Sequence, residues 1–349
     1  MASDNSKSAV RPPKPSAQGF ASMWTQMYPP KPAFTEKDVP DLSSKVYIVT
    51  GASSGVGKET AQVLYSRNAK VYIATRSEKK ANEAILSIKA AWPKSGGELV
   101  FLHLNLADLS TVKKAANEFL AKETKLHVLF NNAVIQALND TDGSQKTAQG
   151  HEIHLGVNIF GPFLFTRILT PTLVVTAKIE PPNTMRVVWV SSMGLEAMGE
   201  KSKGISTDYL EYWPAMSPLE RYGISKAGNW LYAIEMARQL KEAGVLSMPV
   251  NPGHLASDLY RDGGSIFKTM LNTFVLYPSI NGAYVELFAG FSSDITIDKS
   301  GEWIVPWGRF YSLRPDLLEA TRSEAEGGNG HAQEFWAWSE EQVHDFIES

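Results

Sequence analysis

Cysteine is absent from the 349-residue chain. That excludes disulfides, thiolate nucleophiles and Cys-ligated metals. It does not fix a compartment, because a cytosolic enzyme can simply lack the residue. Histidine is sparse, with seven in all. Only His151 and His154 stand at a ligand-like spacing, and they read better as the start of a helix, so no metal site is expected. Charge of one sign is also missing. The formal net charge is −3, and no long basic run offers a nucleic-acid surface. No stretch reads as a membrane span. The most apolar run, Leu155 to Ala177, carries Arg167, Pro162 and Pro171 and fits a buried helix. The N-terminus lacks the apolar core of a secretory signal. Lys7, Arg11 and Lys14 among serines resemble a transit peptide, but Pro12, Pro13 and Pro15 would break its amphipathic helix. A cytoplasmic location is expected, with an organelle as the alternative.

What is present is an ordinary globular composition, 43% hydrophobic and 20% charged. Residues 1–43 form a proline-rich extension. It is expected to be a disordered tail whose aromatic stretch (Phe20, Met23, Trp24, Met27, Tyr28) packs on the main domain. From Lys45 short apolar runs alternate with helical patterns. Strands are predicted at Val46–Thr50, 71–74, 99–104, Val128–Asn131, 186–190 and Val245–Val250. Helices are predicted over 57–68, 77–91, 110–122, 149–176 and 222–243. This alternation predicts an α/β fold, a doubly wound parallel sheet of Rossmann type in a single domain. The main domain is expected to span 44–310, followed by a C-terminal helical extension over 311–349. Such a sheet binds ligands at the carboxyl ends of its strands. Gly51, Arg76, Asn105, Asn132, Ser192 and Pro252 each close a predicted strand.

Thr50-Gly51-Ala52-Ser53-Ser54-Gly55-Val56-Gly57 joins the first strand to the first helix. Glycines let the backbone turn tightly and let a pyrophosphate approach, while the helix start supplies free N–H donors. Gly51, Ser53, Ser54, Gly55, Val56 and Gly57 are therefore cofactor candidates. A rival reading exists, because Gly51-Ala52-Ser53-Ser54-Gly55 also matches a nucleophile elbow, with Ser53 as a hydrolase nucleophile. Gly57 has no role in an elbow, and the motif lies on the first strand of the unit. The second strand closes at Thr75-Arg76 with no acid to accept from a ribose 2′-hydroxyl. Arg76 instead offers a planar cation to a 2′-phosphate, which points to NADP(H).

Tyr222 and Lys226 stand one helical turn apart, on one face. A free phenol has a pKa of about 10. A nearby ammonium and an oxidised nicotinamide would both favour the phenolate, making Tyr222 an acid in reduction and a base in oxidation. Ser192, at a strand end, would bond the substrate oxygen and orient it. Its neighbour Ser191 faces the other side of the strand, and the pair is open to exchange by one position. Asn158 is a poor residue for a helix interior unless its amide is used. It is read as a water-mediated link to Lys226, or else as a buried amide bonding backbone.

In order, Thr50–Gly57, Asn131-Asn132-Ala133, Asn158, Val190-Ser191-Ser192, Tyr222–Lys226 and Asn251-Pro252-Gly253 resemble the motifs of short-chain dehydrogenases/reductases. The resemblance covers roughly Lys45 to Gly308. It is strongest to the retinol-dehydrogenase-like branch and to its fungal members, including the proline-rich lead-in and the Trp303–Trp307 region. It implies a Ser192–Tyr222–Lys226 triad supported by Asn158, with Lys226 bonding the nicotinamide ribose. It also implies Asn105, Leu106, Asn132 and Ala133 along the adenosine side, with Pro252, Gly253, Leu255 and Ser257 flanking the nicotinamide. A homodimer through the long helices is a further family-level expectation. Three departures stand out: Val134 in place of a usual glycine, Asn105 in place of a common aspartate, and Ser257 in place of a common threonine.

The expected activity is interconversion of a carbonyl and an alcohol with NADP(H), of the ketoreductase kind met in secondary metabolism. The walls of the substrate site are expected at 193–221 and 254–276. They offer Tyr209, Tyr212, Trp213, Tyr260, Phe267 and Phe274, which suits a bulky apolar or aromatic small molecule. A serine hydrolase using Ser53 and a non-catalytic NADP(H)-binding scaffold are the two alternatives.

Overall fold

The fold is taken from a computed structural model, which describes residues 20–210, 212–255 and 276–347. Eight strands form one sheet: β1 (Val46–Thr50), β2 (Lys70–Thr75), β3 (Glu98–His103), β4 (Val128–Asn131), β5 (Met185–Val190), β6 (Val245–Val250), β7 (Ile304–Val305) and β8 (Arg309–Phe310). Their order is β3-β2-β1-β4-β5-β6-β7-β8. All neighbours run parallel except β8, which returns antiparallel to β7. The chain winds outward from β1 in one direction and then, from β4, in the other. The switch point therefore lies between β1 and β4, and a crevice opens at their carboxyl ends.

A parallel sheet covered on both faces needs apolar residues at consecutive positions, not alternate ones. β1 satisfies this. Val46 and Ile48 enter one core layer and Tyr47 and Val49 the other, all buried. The first layer holds the helices Leu109–Lys122, Gly161–Ala177 and Pro218–Leu240. The second holds Gly55–Ser66, Glu78–Ala91 and Ser279–Phe291. The run Leu155–Ala177 is long and apolar enough to cross a bilayer, but it is largely buried inside the first layer.

Several helix ends follow from local chemistry. Ser217 and Glu220 form a reciprocal capping box with Pro218 in the first turn, which starts the helix that carries Tyr222. Asp108 caps the helix Leu109–Lys122 by accepting the Ser110 N–H at 3.0 Å. The buried guanidinium of Arg186 donates to the carbonyls of Ala289 at 2.9 Å and Ser292 at 2.8 Å, closing the end of Ser279–Phe291.

The described parts of both flanking segments pack on this body. The helix His331–Ile347 places Phe335, Trp336 and Val343 in the first core layer, and Tyr232 Oη donates to Ser339 Oγ at 2.7 Å. The segment expected to be a tail contains a docked helix, Phe20–Met27. Among its described side chains Gln26 is buried, while Met23, Trp24 and the following Tyr28 are exposed. The buried hydrogen bonds of Gln26 explain that orientation.

Candidate active site

The turn after β1 has the backbone that its glycines require. Gly51 and Gly55 take φ of +71° and +55°, the left-handed region that disfavours side chains. A Cβ on Gly57 would lie 2.4 Å from Asn132 Nδ2. That amide donates to Thr50 O at 2.8 Å, and the Ala133 N–H donates to Thr50 Oγ1 at 2.9 Å. Asn132 and Ala133 thus fasten the end of β4 beneath the turn. Ser54 stands at the N-cap of Gly55–Ser66 without a side-chain cap bond, so the first N–H groups face outward as donors for an anion. These features fit a dinucleotide pyrophosphate.

Around the turn, Ser53 Oγ meets Thr75 Oγ1 at 3.4 Å. No histidine or carboxylate bonds it among the described residues, so a nucleophile elbow at Ser53 lacks its base. Val56 packs near Leu255 across the place where a Gly282 Cβ would stand. Arg76 is exposed at the end of β2. Asn105 is half-buried, and its Oδ1 accepts the Ala107 N–H at 3.3 Å. Leu106 is buried against Gly161. Gly253 takes φ of +89° and donates its N–H to Asn251 Oδ1 at 3.0 Å. Pro252 precedes it half-buried, and Leu255 is buried. Ser257 lies outside the described residues, as do Tyr260, Phe267 and Phe274.

The residues expected to handle the proton converge near the ends of β5 and β6. Lys226 is 1% exposed, and its Nζ donates to Val190 O at 2.6 Å. It lies 6.0 Å from the centre of the Tyr222 ring. Burial pulls the Lys226 ammonium down to about 7, because desolvation penalises the charged form. The two serines separate cleanly. Ser191 is buried and donates to Lys226 O at 2.6 Å, whereas Ser192 is half-buried and accepts the Gly194 N–H at 3.1 Å. A Cβ on Gly194 would stand 3.0 Å from Gly223 Cα and 3.5 Å from Ser192 Oγ. The Ser192 hydroxyl therefore lies beside the turn that carries Tyr222.

Asn158 sits in a π-helical turn, Leu155–Phe160, that precedes Gly161–Ala177. Its Oδ1 accepts the Ile135 N–H at 2.9 Å, and its Nδ2 donates to Ile135 O and to Ser225 Oγ, both at 3.0 Å. The amide reaches the residue next to Lys226, not Lys226 itself. It ties the segment after β4 to the Tyr222 helix.

The sequence reading passed over three supporting groups. Arg221, beside Tyr222, is fully buried between Asp140, Glu152 and the Met216 carbonyl. Glu286 is fully buried, accepts from Thr60 Oγ1 at 2.7 Å, and is pushed up to about 8 by desolvation. Gln26 joins the loops that follow β5 and β6. A lone charge inside an apolar stretch was the available signal for Glu286, whereas Arg221 follows Glu220 in a polar helix start. Nothing local marks Gln26.

Fold and site together define a nucleotide-binding oxidoreductase built on a doubly wound sheet. A family model described as short chain dehydrogenase matches residues 45–264. The short-chain dehydrogenase/reductase bet4 of Neocamarosporium betae is 60% identical over 97% of this chain and 98% of its own. A short-chain dehydrogenase/reductase of Phomopsis amygdali is 48% identical over 95% and 99%. Among solved structures, a Burkholderia cenocepacia short chain dehydrogenase in complex with NADP shares the fold at a TM-score of 0.57. It is 20% identical, over 77% of this chain and 98% of its own. A Brucella melitensis 3-oxoacyl-[acyl-carrier protein] reductase in complex with NAD does so at 0.57, with 21% identity over 74% and 94%. The chain belongs to the short-chain dehydrogenase/reductase family of NAD(P)(H)-using oxidoreductases and resembles its fungal members.

Proposed function

We propose that the protein interconverts a carbonyl and an alcohol on a bulky apolar or aromatic small molecule, with NADP(H) as its cofactor. The carrying observation is the convergence of Ser192, Tyr222 and Lys226: a half-buried serine hydroxyl beside the turn that carries Tyr222, with a buried amine held at the end of the same strand.

When bound, the nicotinamide supplies or accepts the hydride. Every other task falls to the chain. Gly51 to Gly57 and the uncapped helix start receive the pyrophosphate, and Arg76 receives a 2′-phosphate. Ser192 Oγ holds the substrate oxygen. Tyr222 Oη gives that oxygen a proton in reduction and takes it back in oxidation. Lys226, fixed by Val190 O, places its charge near the phenol and favours the phenolate. Asn158 acts as a positioning residue, since its side chain bonds Ile135 and Ser225. Tyr209 and Trp213 are buried in the first core layer and Tyr212 packs half-buried against it, so the segment expected to wall the substrate site has an apolar backing that supports an apolar ligand.

The test is Tyr222→Phe, read by NADPH oxidation against aldehydes and ketones of graded size and by NADPH binding. Turnover should fall at least about 100-fold, a general acid's usual share, while NADPH binding stays close to wild type. Full activity in that variant would remove Tyr222 from the reaction.

A further inference from the structure

The helix Phe20–Met27 reaches the active-site loops through buried polar bonds. Gln26 is 1% exposed, and its two amide ends serve different loops. Its Nε2 donates to Glu196 Oε1 at 2.7 Å, and its Oε1 accepts from Asn251 Nδ2 at 2.8 Å. Glu196 lies on Gly194–Met198, the short helix that begins two residues after Ser192. Asn251 opens the Asn-Pro-Gly loop after β6, and its other amide end already holds the Gly253 N–H. The two loops thus meet through one side chain that belongs to neither.

Other contacts hold the helix in place. Arg309 on β8 donates to Thr25 Oγ1 and Thr25 O, each at 2.8 Å, and Tyr277 Oη donates to Met27 O at 3.3 Å. Gly194–Met198 has little room on its far side. A Cβ on Gly223 would lie 2.5 Å from Met198 Sδ. The short helix is therefore held between the Tyr222 helix and Gln26. A shift of Glu196 carries Gly194, and Gly194 holds the Ser192 hydroxyl.

We infer that Gln26 is a positioning residue of the active site, setting the loop of Ser192 and the loop of Pro252 and Gly253 relative to each other. The inference rests on the reading that these two loops hold the substrate oxygen and flank the nicotinamide.

The test uses the exchange of an amide and an acid between two positions, in the full chain. Gln26→Glu keeps an acceptor for Asn251 but sets one carboxylate against another at Glu196. Adding Glu196→Gln restores a donor to that contact and returns the net charge to its original value. Hydrogen exchange is followed in peptides covering 192–199 and 251–255, together with thermal unfolding, NADPH affinity, and kcat and KM for aromatic ketones. In Gln26→Glu, exchange in 192–199 should rise by about tenfold or more, the scale of a lost charge-assisted bond. kcat should fall about tenfold, with a smaller change in NADPH affinity because the Asn251 arm is kept. The double variant should recover both exchange and kcat. Unchanged exchange in Gln26→Glu overturns the inference, as does a loosened loop with wild-type kcat, or a double variant that folds but recovers neither. If the wild-type protein reduces no ketone at all, the proposed reaction fails, while loop exchange and NADPH affinity still decide whether Gln26 sets the loops.

Discussion

Replacing Arg76 with alanine should separate the two nicotinamide cofactors. Arg76 stands exposed after β2, where an acid would serve NAD and a cation serves a 2′-phosphate. A hydrogen bond to a charged group contributes about 1.5–3 kcal/mol. Exposure and salt screening favour the lower end of that range. Each 1.4 kcal/mol is about a factor of ten, so kcat/KM for NADPH should fall about 10- to 30-fold. NADH makes no such contact, and its kcat/KM should change less than about twofold. The assay is initial-rate oxidation of each cofactor with one reducible ketone, at about 0.05 M and about 0.5 M salt. High salt should shrink the effect of the mutation on NADPH, because the Debye length shortens well below its value of about 10 Å at 0.1 M. An equal loss for both cofactors would refute the reasoning, as would a wild-type enzyme that prefers NADH.

Two further outcomes are expected. Gly57→Ala places a methyl 2.4 Å from Asn132 Nδ2 and 3.0 Å from Gly51 O. It should lower stability by about 1–3 kcal/mol through overpacking and weaken NADPH binding at least about tenfold, both measurable by thermal unfolding with and without NADPH. Glu286→Gln should flatten the pH dependence of stability. The folded-state carboxyl titrates at about 8 against an ordinary 4.5, so between those values the folded protein keeps a proton that the unfolded chain releases. Its contribution therefore falls as pH rises through that window, by at most about 1.4 kcal/mol per unit. Denaturant midpoints at about pH 5.5 and about pH 7.5 should diverge in the wild type and converge in the variant, which keeps an acceptor for Thr60.

The strands nearest the site were legible because burial on both faces writes them as continuous apolar runs. Val46–Thr50, Val128–Asn131 and Val245–Val250 agree with the sequence reading residue for residue. β7 and β8 have two residues each and carry no period to read. The Tyr222 helix begins four residues before its predicted start, although Ser217, Pro218 and Glu220 spell out its cap. Ser279–Phe291 went unread: glycines at 282 and 290 weaken its helical signal, and its close packing on Leu255, Val56 and Phe130 requires them. The glycine turn and the Tyr222–Lys226 pair were legible as local spacings. The choice of Ser192 over Ser191 became a matter of geometry, because only one of the two hydroxyls is spent on the helix backbone. Gln26 was illegible because its partners, Glu196 and Asn251, lie far along the chain.

The helix His331–Ile347 has a consequence for synthesis order. A Cβ on Gly228 would meet Ile159 at 3.0 Å and Phe335 at 3.3 Å, so the Tyr222 helix leans on residues made long after it. On the ribosome the sheet can pair while that flank is still bare. The apolar groove that Phe335 and Trp336 fill in the finished protein is then open to chaperones and to other nascent chains. The Tyr222 helix therefore gains its full packing only once the late helix has docked against it.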